Sequence, residues 1–364
     1  MFYNSSNYGG ILQSYALVRL VEKEGNSVEQ IRYNQSSIYN VKLRLKQAIL
    51  PYYRMIRDYN NGILYWRLRK RRKIVIRAAK ELVNHSKKVY SEQSLSSCLR
   101  KYNCFITGSD QVWHGEWPAY FLNFVPSKYK KIAFAASTGK SELTDDEIKV
   151  IRDYTKDYTA ISVREKDTAT QLNKQIKNVE CVLDPTLLLE KGDWETIVAE
   201  RKIDKPYIFC YFLGSNKKMR DLASEFAAKR NCPIVTIPHM QGIIEKNDLL
   251  FGEVQSFDAR PQDFLSYIKY AEAVFTDSFH ACVFSQIFKK QYYVFGRLEH
   301  KEMNNRIVSL TEMFGTRNHY IEEQDQYKFS YIDEIDLIDY RVTSEDYKEM
   351  KEKSISYLFS NLRK

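Results

Sequence analysis

No two of the six cysteines stand in a C-x-x-C pair; they fall at positions 98, 104, 181, 210, 232 and 282, most of them inside or beside apolar runs. That scatter argues against a disulfide framework and against a cysteine-ligated metal, and is the pattern of reduced, mostly buried thiols in a cytoplasmic protein. The histidines show no metal-ligand spacing either. The N-terminus has no basic-then-apolar signal, and no apolar run is long enough to span a bilayer. The expected location is the cytoplasm, including its membrane face. No short-period repeat is visible. Acidic side chains are the minority charge, 46 against 56 Lys and Arg, which leaves a formal net charge of +10. Such an excess favours anionic partners: phosphate, carboxylate, nucleic acid or a lipid surface.

What is present is the composition of a folded protein, with 44% hydrophobic and 28% charged residues. A chain of 364 residues has room for two or three domains. The 27 Tyr and 19 Phe offer wide aromatic surfaces that suit sugars, although the default use of any one of them is core packing.

The first six residues are too few for a strand and loop. Asn7-Tyr8-Gly9-Gly10 then opens a helical pattern, with Leu12, Ala16 and Leu20 at helical spacing and Gly25 as the stop. Ser27 to Tyr33 alternates like a strand, so the opening reads as a Rossmann unit whose first strand is stunted or missing. From about 41 to 88 Lys and Arg crowd the sequence, interleaved with Tyr52, Tyr53, Tyr65 and Trp66, and two or three helices are expected there as an insertion. Strand-like runs return at 102–108, 131–137, 160–163 and 179–183, with helical stretches at 145–158 and 164–174; Asp184-Pro185-Thr186 marks a boundary. A second series follows: strands at 208–213, 233–237, 272–276 and 291–295, and helices at 218–229, 264–271 and 281–288. Two runs of β-loop-α units predict an α/β protein with two Rossmann-like doubly wound domains, at 1–190 and 205–325. The tail, 326–364, ends in one long helix that is expected to cross back to the first domain.

Several segments, in order, resemble the polysaccharide pyruvyl transferase family: Asn7 to Leu17 (NYGGILQSYAL), Gly108 to Trp113 (GSDQVW), Ser162 to Glu165 (SVRE), Leu183 to Thr186 (LDPT) and Thr276 to Ala281 (TDSFHA). The resemblance implies a GT-B-like fold with the site between two Rossmann-type domains. It also implies transfer of a pyruvyl group from phosphoenolpyruvate to two sugar hydroxyls, making a ketal in a capsule or exopolysaccharide. No cofactor is implied beyond phosphoenolpyruvate as co-substrate. The chain departs from the family at Ser278, where members with the ketal activity often carry Arg, and at Asp258-Ala259-Arg260-Pro261, where many have Val-Gly-Pro. The Ser keeps a second function open, a GT-B-type glycosyltransferase with a nucleotide-sugar donor. A third is a non-catalytic glycan- or membrane-binding relative.

Ketal formation needs a proton donor, a base for the hydroxyls, and cations for phosphate and carboxylate. His280, between a predicted strand and a helix, is the first candidate for acid, base or phosphate contact. Asp277 is placed to orient it or to cap the helix, a task that Thr276 and Ser278 also suit; backbone N–H groups at that helix start suit an anion. Asn7, Tyr8, Gly9 and Gly10 form a candidate substrate loop, or a plain turn before a helix, and Gln13 one turn on is placed to face a cleft. In Gly108, Ser109, Asp110 and Gln111, Asp110 is a candidate base and Trp113 a platform for a sugar ring; the alternative is a structural loop. Arg164, Arg297, Asn305 and Arg306 are candidates to replace the cation missing at 278. Asp184 reads as a brace. Of the other histidines, His114 and His239 are the stronger outsiders, ahead of His85, His300 and His319. The basic segment is by default a solvated face; next comes contact with an anionic membrane, which suits a lipid-linked saccharide acceptor, and nucleic acid is the least favoured partner.

Overall fold

The computed structural model describes residues 3, 6–34, 59–115, 117–239, 246–297, 304–322, 326–342 and 344–363. Helix α1 (Tyr8–Lys23) leads to strand β1 (Gln30–Tyr33), and α2 (Tyr59–Leu82) to β2 (His85–Tyr90), β3 (Cys104–Thr107) and β4 (Lys130–Ala136). Then come α3 (Asp145–Thr155), β5 (Ala160–Val163), α4 (Lys166–Leu172), β6 (Val179–Cys181) and the short α5 (Lys191–Glu195). The second series is β7 (Ile208–Tyr211), α6 (Lys217–Lys229), β8 (Ile234–Thr236), β9 (Val254–Gln255), α7 (Pro261–Lys269), β10 (Ala273–Thr276), α8 (Phe279–Ile287), β11 (Gln291–Phe295), α9 (Asn305–Met313) and β12 (Tyr320–Ile321). Helices α10 (Phe329–Asp333) and α11 (Glu345–Arg363) close the described chain.

The chain divides into two compact units: Met1–Ile38, Lys80–Leu189 and Glu345–Lys364 form one, Tyr39–Ala79 and Glu190–Ser344 the other. The basic segment, read from sequence as an insertion of the first domain, groups from 59 to 79 with the second unit. Its contacts explain this. The Arg71 guanidinium donates to Pro238 O, Lys70 pairs with Asp258 at 2.6 Å, and Arg67 lies over the Phe257 ring at 4.7 Å. One helix fills the described part, and the rest of the expected insertion, 41–58, lies outside the described residues.

In the first unit β3-β4-β5-β6 form a parallel sheet in which sequence neighbours are spatial neighbours, while β1 and β2 make a separate parallel pair. The strand order never reverses among the described residues, so this sheet is α/β but not doubly wound as expected. No described strand precedes α1. A groove of about 690 Å³ touches Gln30, Ile31 and Tyr33 of β1 and all of β3.

The second unit's sheet is parallel throughout, in the order β12-β11-β10-β7-β8-β9. Counted from its own first strand, that is the Rossmann order 3-2-1-4-5-6, with the reversal between β7 and β10. Both strands at the reversal are buried at every residue, which is why they read as apolar runs without alternation. Helix α6 covers one face with Met219, Leu222, Ala223, Phe226 and Ala227, a helical stripe packed on Phe275, Tyr293 and Phe295.

Candidate functional site

Because all strands of the second unit are parallel, β7, β8, β10 and β11 end on one edge, and the reversal makes that edge the place where such sheets take ligands. Thr276 ends β10, and its Oγ1 donates to Tyr211 O on β7 (2.6 Å) and accepts from Ser278 N (3.0 Å). Asp277 follows, wholly buried. Its Oδ1 accepts from Leu213 N and its Oδ2 from Gly214 N, both at 2.7 Å. The carboxylate therefore spans the reversal and ties the loop after β10 to the loop after β7. It is a clamp, whereas Ser278 is the N-cap of α8. Beyond β11, Arg297 donates from Nε to Asp277 O (3.1 Å), with the same nitrogen 3.8 Å from Asp277 Oδ2. Asn304 holds Arg297 in place, accepting from its N–H (2.9 Å) and donating to its carbonyl (3.1 Å). The sequence pointed to Asn305, which is exposed; the anchoring amide is its neighbour.

Further cations close in on the same edge. Arg220 of α6 pairs with Asp248 at 2.6 Å, each side chain 3% exposed, and donates to Gly214 O (3.0 Å) and Asn216 O (2.9 Å). That fixes the loop after β7. Burial raises the Asp248 carboxyl pKa, against the pull of Arg220. Asp248 also accepts from His239 N at 2.9 Å, and Arg71 reaches Pro238 O, so Pro238 and His239, just beyond β8, are held too. Burial drives the His239 pKa down to about 4; Asp277 opposes that and Arg71, Arg297 and Arg220 add to it, so the imidazole is neutral at pH 7. Among these side chains three guanidinium groups, of Arg71, Arg220 and Arg297, stand with two buried carboxylates, of Asp248 and Asp277, one more cation than anion. Helix α8 starts here. His280, its second residue, is half-buried and meets the Phe279 ring edge-on at 5.2 Å, while Arg306 of α9 lies over that ring at 5.6 Å. The structure thus gathers Thr276, Asp277, Ser278, His280, Arg297 and Arg306 around one helix start.

The first unit's candidates form a different kind of cluster. Asn7 caps α1, its Oδ1 accepting from Gly9 N at 2.9 Å, and Tyr8, Gly9 and Gly10 are buried in the first turn. This segment is a helix start rather than an open substrate loop. Gln13 has no solvent contact; its Nε2 donates to Asp184 Oδ2 and to Ser109 O (3.4 Å). It does not face a cleft as expected. Arg164, 4% exposed, donates to Asp184 Oδ2 (2.8 Å) and Glu165 Oε1 (3.2 Å). Burial alone would lower its pKa, but Glu165, Asp184 and Asp110 outweigh that and raise it. Its charge is matched by carboxylates of the first unit. Asp184 also accepts from Thr186 N (3.0 Å) and Oγ1 (2.6 Å). Trp113, 4% exposed and stacked on Phe121 at 5.4 Å, is core and not a sugar platform. Gly108 has φ +123°, and a Cβ there would lie 1.9 Å from Phe134 O, so only glycine fits. Asp110 and Gln111 are half-buried, with Gln111 N donating to Asp110 Oδ1 at 2.8 Å. Gln13 Oε1, Ser109 Oγ and Glu165 Oε2 are buried with no hydrogen-bond partner among the described residues.

Sequence reading missed Arg71, Arg220, Asp248 and Asn304. Arg71 was one cation among many in a basic stretch, and only its burial separates it. Arg220 and Asp248 carry no local signal, since each acquires its meaning from the other. His114 is exposed and His319 buried between Tyr292 O and Asp336 O, while His300 lies outside the described residues. The six cysteines are free, and burial pushes their thiols up, Cys98 and Cys181 to about 11. Among the described residues no acidic, His and Cys cluster could hold a metal ion, and no helix is long and apolar enough to cross a membrane.

A parallel sheet with a strand-order reversal, edged by guanidinium groups around a buried carboxylate clamp, defines an α/β protein of the Rossmann-like class. The family model of polysaccharide pyruvyl transferase matches residues 7–298, and the chain belongs to that family. The family name marks it as a transferase acting on polysaccharide. No curated protein and no solved structure gives a match to the chain.

Proposed function

We propose that the protein transfers the pyruvyl group of phosphoenolpyruvate to two hydroxyls of a sugar, closing a ketal during assembly of a bacterial capsule or exopolysaccharide. The observation that carries this reading is the cationic edge of the second unit, where Arg297 and the first N–H groups of α8 stand beside His280. Phosphoenolpyruvate brings a carboxylate and a phosphate, which suit a guanidinium and a helix start. Ser278 keeps the backbone part of such a site while lacking the side-chain charge. In the reaction an acid protonates the methylene carbon and leaves an oxocarbenium-like centre. One sugar hydroxyl attacks it and loses its proton to the conjugate base of that acid; phosphate then departs, and the second hydroxyl closes the ring, its proton passing to the departing phosphate. His280 is assigned the acid–base role, since imidazole changes charge near neutral pH. Asp110 is proposed as a further base, and the acceptor as a free or lipid-linked saccharide. The reaction needs no cofactor.

The second reading, a glycosyltransferase with a nucleotide-sugar donor, is favoured by Ser278 and by the Rossmann strand order, and it also expels phosphate from an oxocarbenium-like centre. Thermal melting with phosphoenolpyruvate and with a nucleotide panel separates the two. Stabilisation by phosphoenolpyruvate is expected, together with phosphate release in the presence of acceptor. His280→Ala should slow that release by roughly 10²- to 10⁴-fold without lowering the melting temperature. Stabilisation by a nucleotide alone would overturn the proposal.

A further inference from the structure

From Trp66 onward, helix α2 buries one face and exposes the other. Arg71, Val75, Ala78 and Ala79 are buried, whereas Trp66, Lys70, Lys73, Arg77 and Lys80 are exposed. Those five stand at i, i+4, i+7, i+11 and i+14 and so form one stripe along the helix. Arg72 is exposed beside them, and the Arg69 guanidinium lies 5.7 Å from the Trp66 ring centre. No Asp or Glu occurs from Tyr59 to Lys80. Glu81 follows next in sequence, and Asp258 pairs with Lys70 at 2.6 Å. That pair, with Arg67 over Phe257, sets the segment after β9 against the helix. Ahead of that segment, in the turn that leads to β9, stands Leu250, at 98% the most exposed aliphatic side chain among the described residues of the second unit; Val254 on β9 is 38% exposed and Trp66 39%.

Basic side chains in a row, an exposed indole and a fully exposed leucine have one common use. Cations sit at acidic headgroups, Trp at the interface, and an aliphatic tip in the acyl boundary. We propose that the exposed face of α2, with Leu250 and Val254, is a docking surface for an anionic lipid bilayer. A nucleic acid would use the cations and stack on Trp66, but it gains little from an aliphatic side chain at a loop tip. The contact is peripheral, because the apolar side of α2 is already packed within the protein. It is independent of which donor the enzyme uses.

The test is co-sedimentation of the full chain with phosphatidylcholine vesicles, with and without phosphatidylserine. Binding is expected only to the phosphatidylserine vesicles and should weaken with added salt. Lys73→Gln with Arg77→Gln should weaken it roughly 25-fold, about fivefold per cation, the equivalent of about 1 kcal/mol each. Leu250→Ser should weaken it several-fold while leaving the salt dependence unchanged. All three positions are exposed, so melting temperatures should stay at the wild-type value and serve as the folding control. Equal binding to both vesicle types, binding to neither, or indifference to these substitutions overturns the proposal. So does full competition by a short single-stranded DNA whose own binding ignores Leu250→Ser, which would give the face to nucleic acid.

Discussion

A carboxyl group with no contact to solvent needs polar neighbours in place of water, and at Asp277 they are two backbone N–H groups and Arg297. Asp277→Ala leaves Leu213 N, Gly214 N and the Arg297 guanidinium without that acceptor, and should cost about 3 kcal/mol in urea unfolding. Asp277→Asn keeps one acceptor oxygen and should cost about half as much. Equal midpoints for wild type and the Ala variant would remove the clamp from the account. The motif from Thr276 to Ala281 was legible in the sequence as a place, but not as a division of labour. The partners that give Asp277 and Gln13 their roles lie far away in the chain, at Leu213 and Gly214 and at Asp184, while Trp113 stacks on Phe121 across an intervening turn. Nothing at the residue itself distinguishes a clamp from a base, or a core indole from a sugar platform.

At the scale of elements, β5 and β11 were legible to the residue, because parallel strands buried beyond their first residue are short, largely apolar runs bounded by polar turns. The misses have a common cause. The strands β9 and β12 are two residues long, and pairing alone makes them strands. β2 (HSKKVY) has four polar residues out of six and disappears into the basic stretch. Local sequence also hides how tightly a loop is held, and two glycines show the contrast. Gly108→Ala would drive a Cβ into Phe134 O at a positive φ, so a loss of about 3 kcal/mol or more is expected, read as poor soluble yield or a lower urea midpoint. Gly192→Ala, in α5 with no atom within 4 Å of the added carbon, should be neutral or stabilise by up to about 1 kcal/mol. A reversed order of the two midpoints would contradict the close approach of β4 to the loop after β3.

For the whole molecule, the α/β rhythm was legible, but strand order was not. The order 3-2-1-4-5-6 depends on which crossovers return to which side of β7, and sequence spacing carries no record of that. The division into units was obscured likewise, since α2 is tied to residues near 238 and 258 by side chains that look like any other surface cations. The buried edge this topology creates has a consequence for stability against pH. His239 has its pKa held down at about 4 in the folded chain and returns to about 6.5 on unfolding. Above pH 6.5 neither state carries the proton and the group contributes no pH dependence. As pH falls from 6.5 toward 4 the unfolded chain binds a proton that the folded chain refuses, so stability drops, by at most about 3 kcal/mol. Below pH 4 both states are protonated and the loss levels off. His85 and His319 are held down by burial as well, and the growing net charge adds repulsion, so wild type alone cannot isolate the effect. His239→Gln keeps those contributions and removes this one. The stability difference, wild type minus variant, should fall through the window from pH 6.5 to 4 and stay level on either side. Parallel curves across that window would mean that the imidazole is not kept neutral by the edge it sits in.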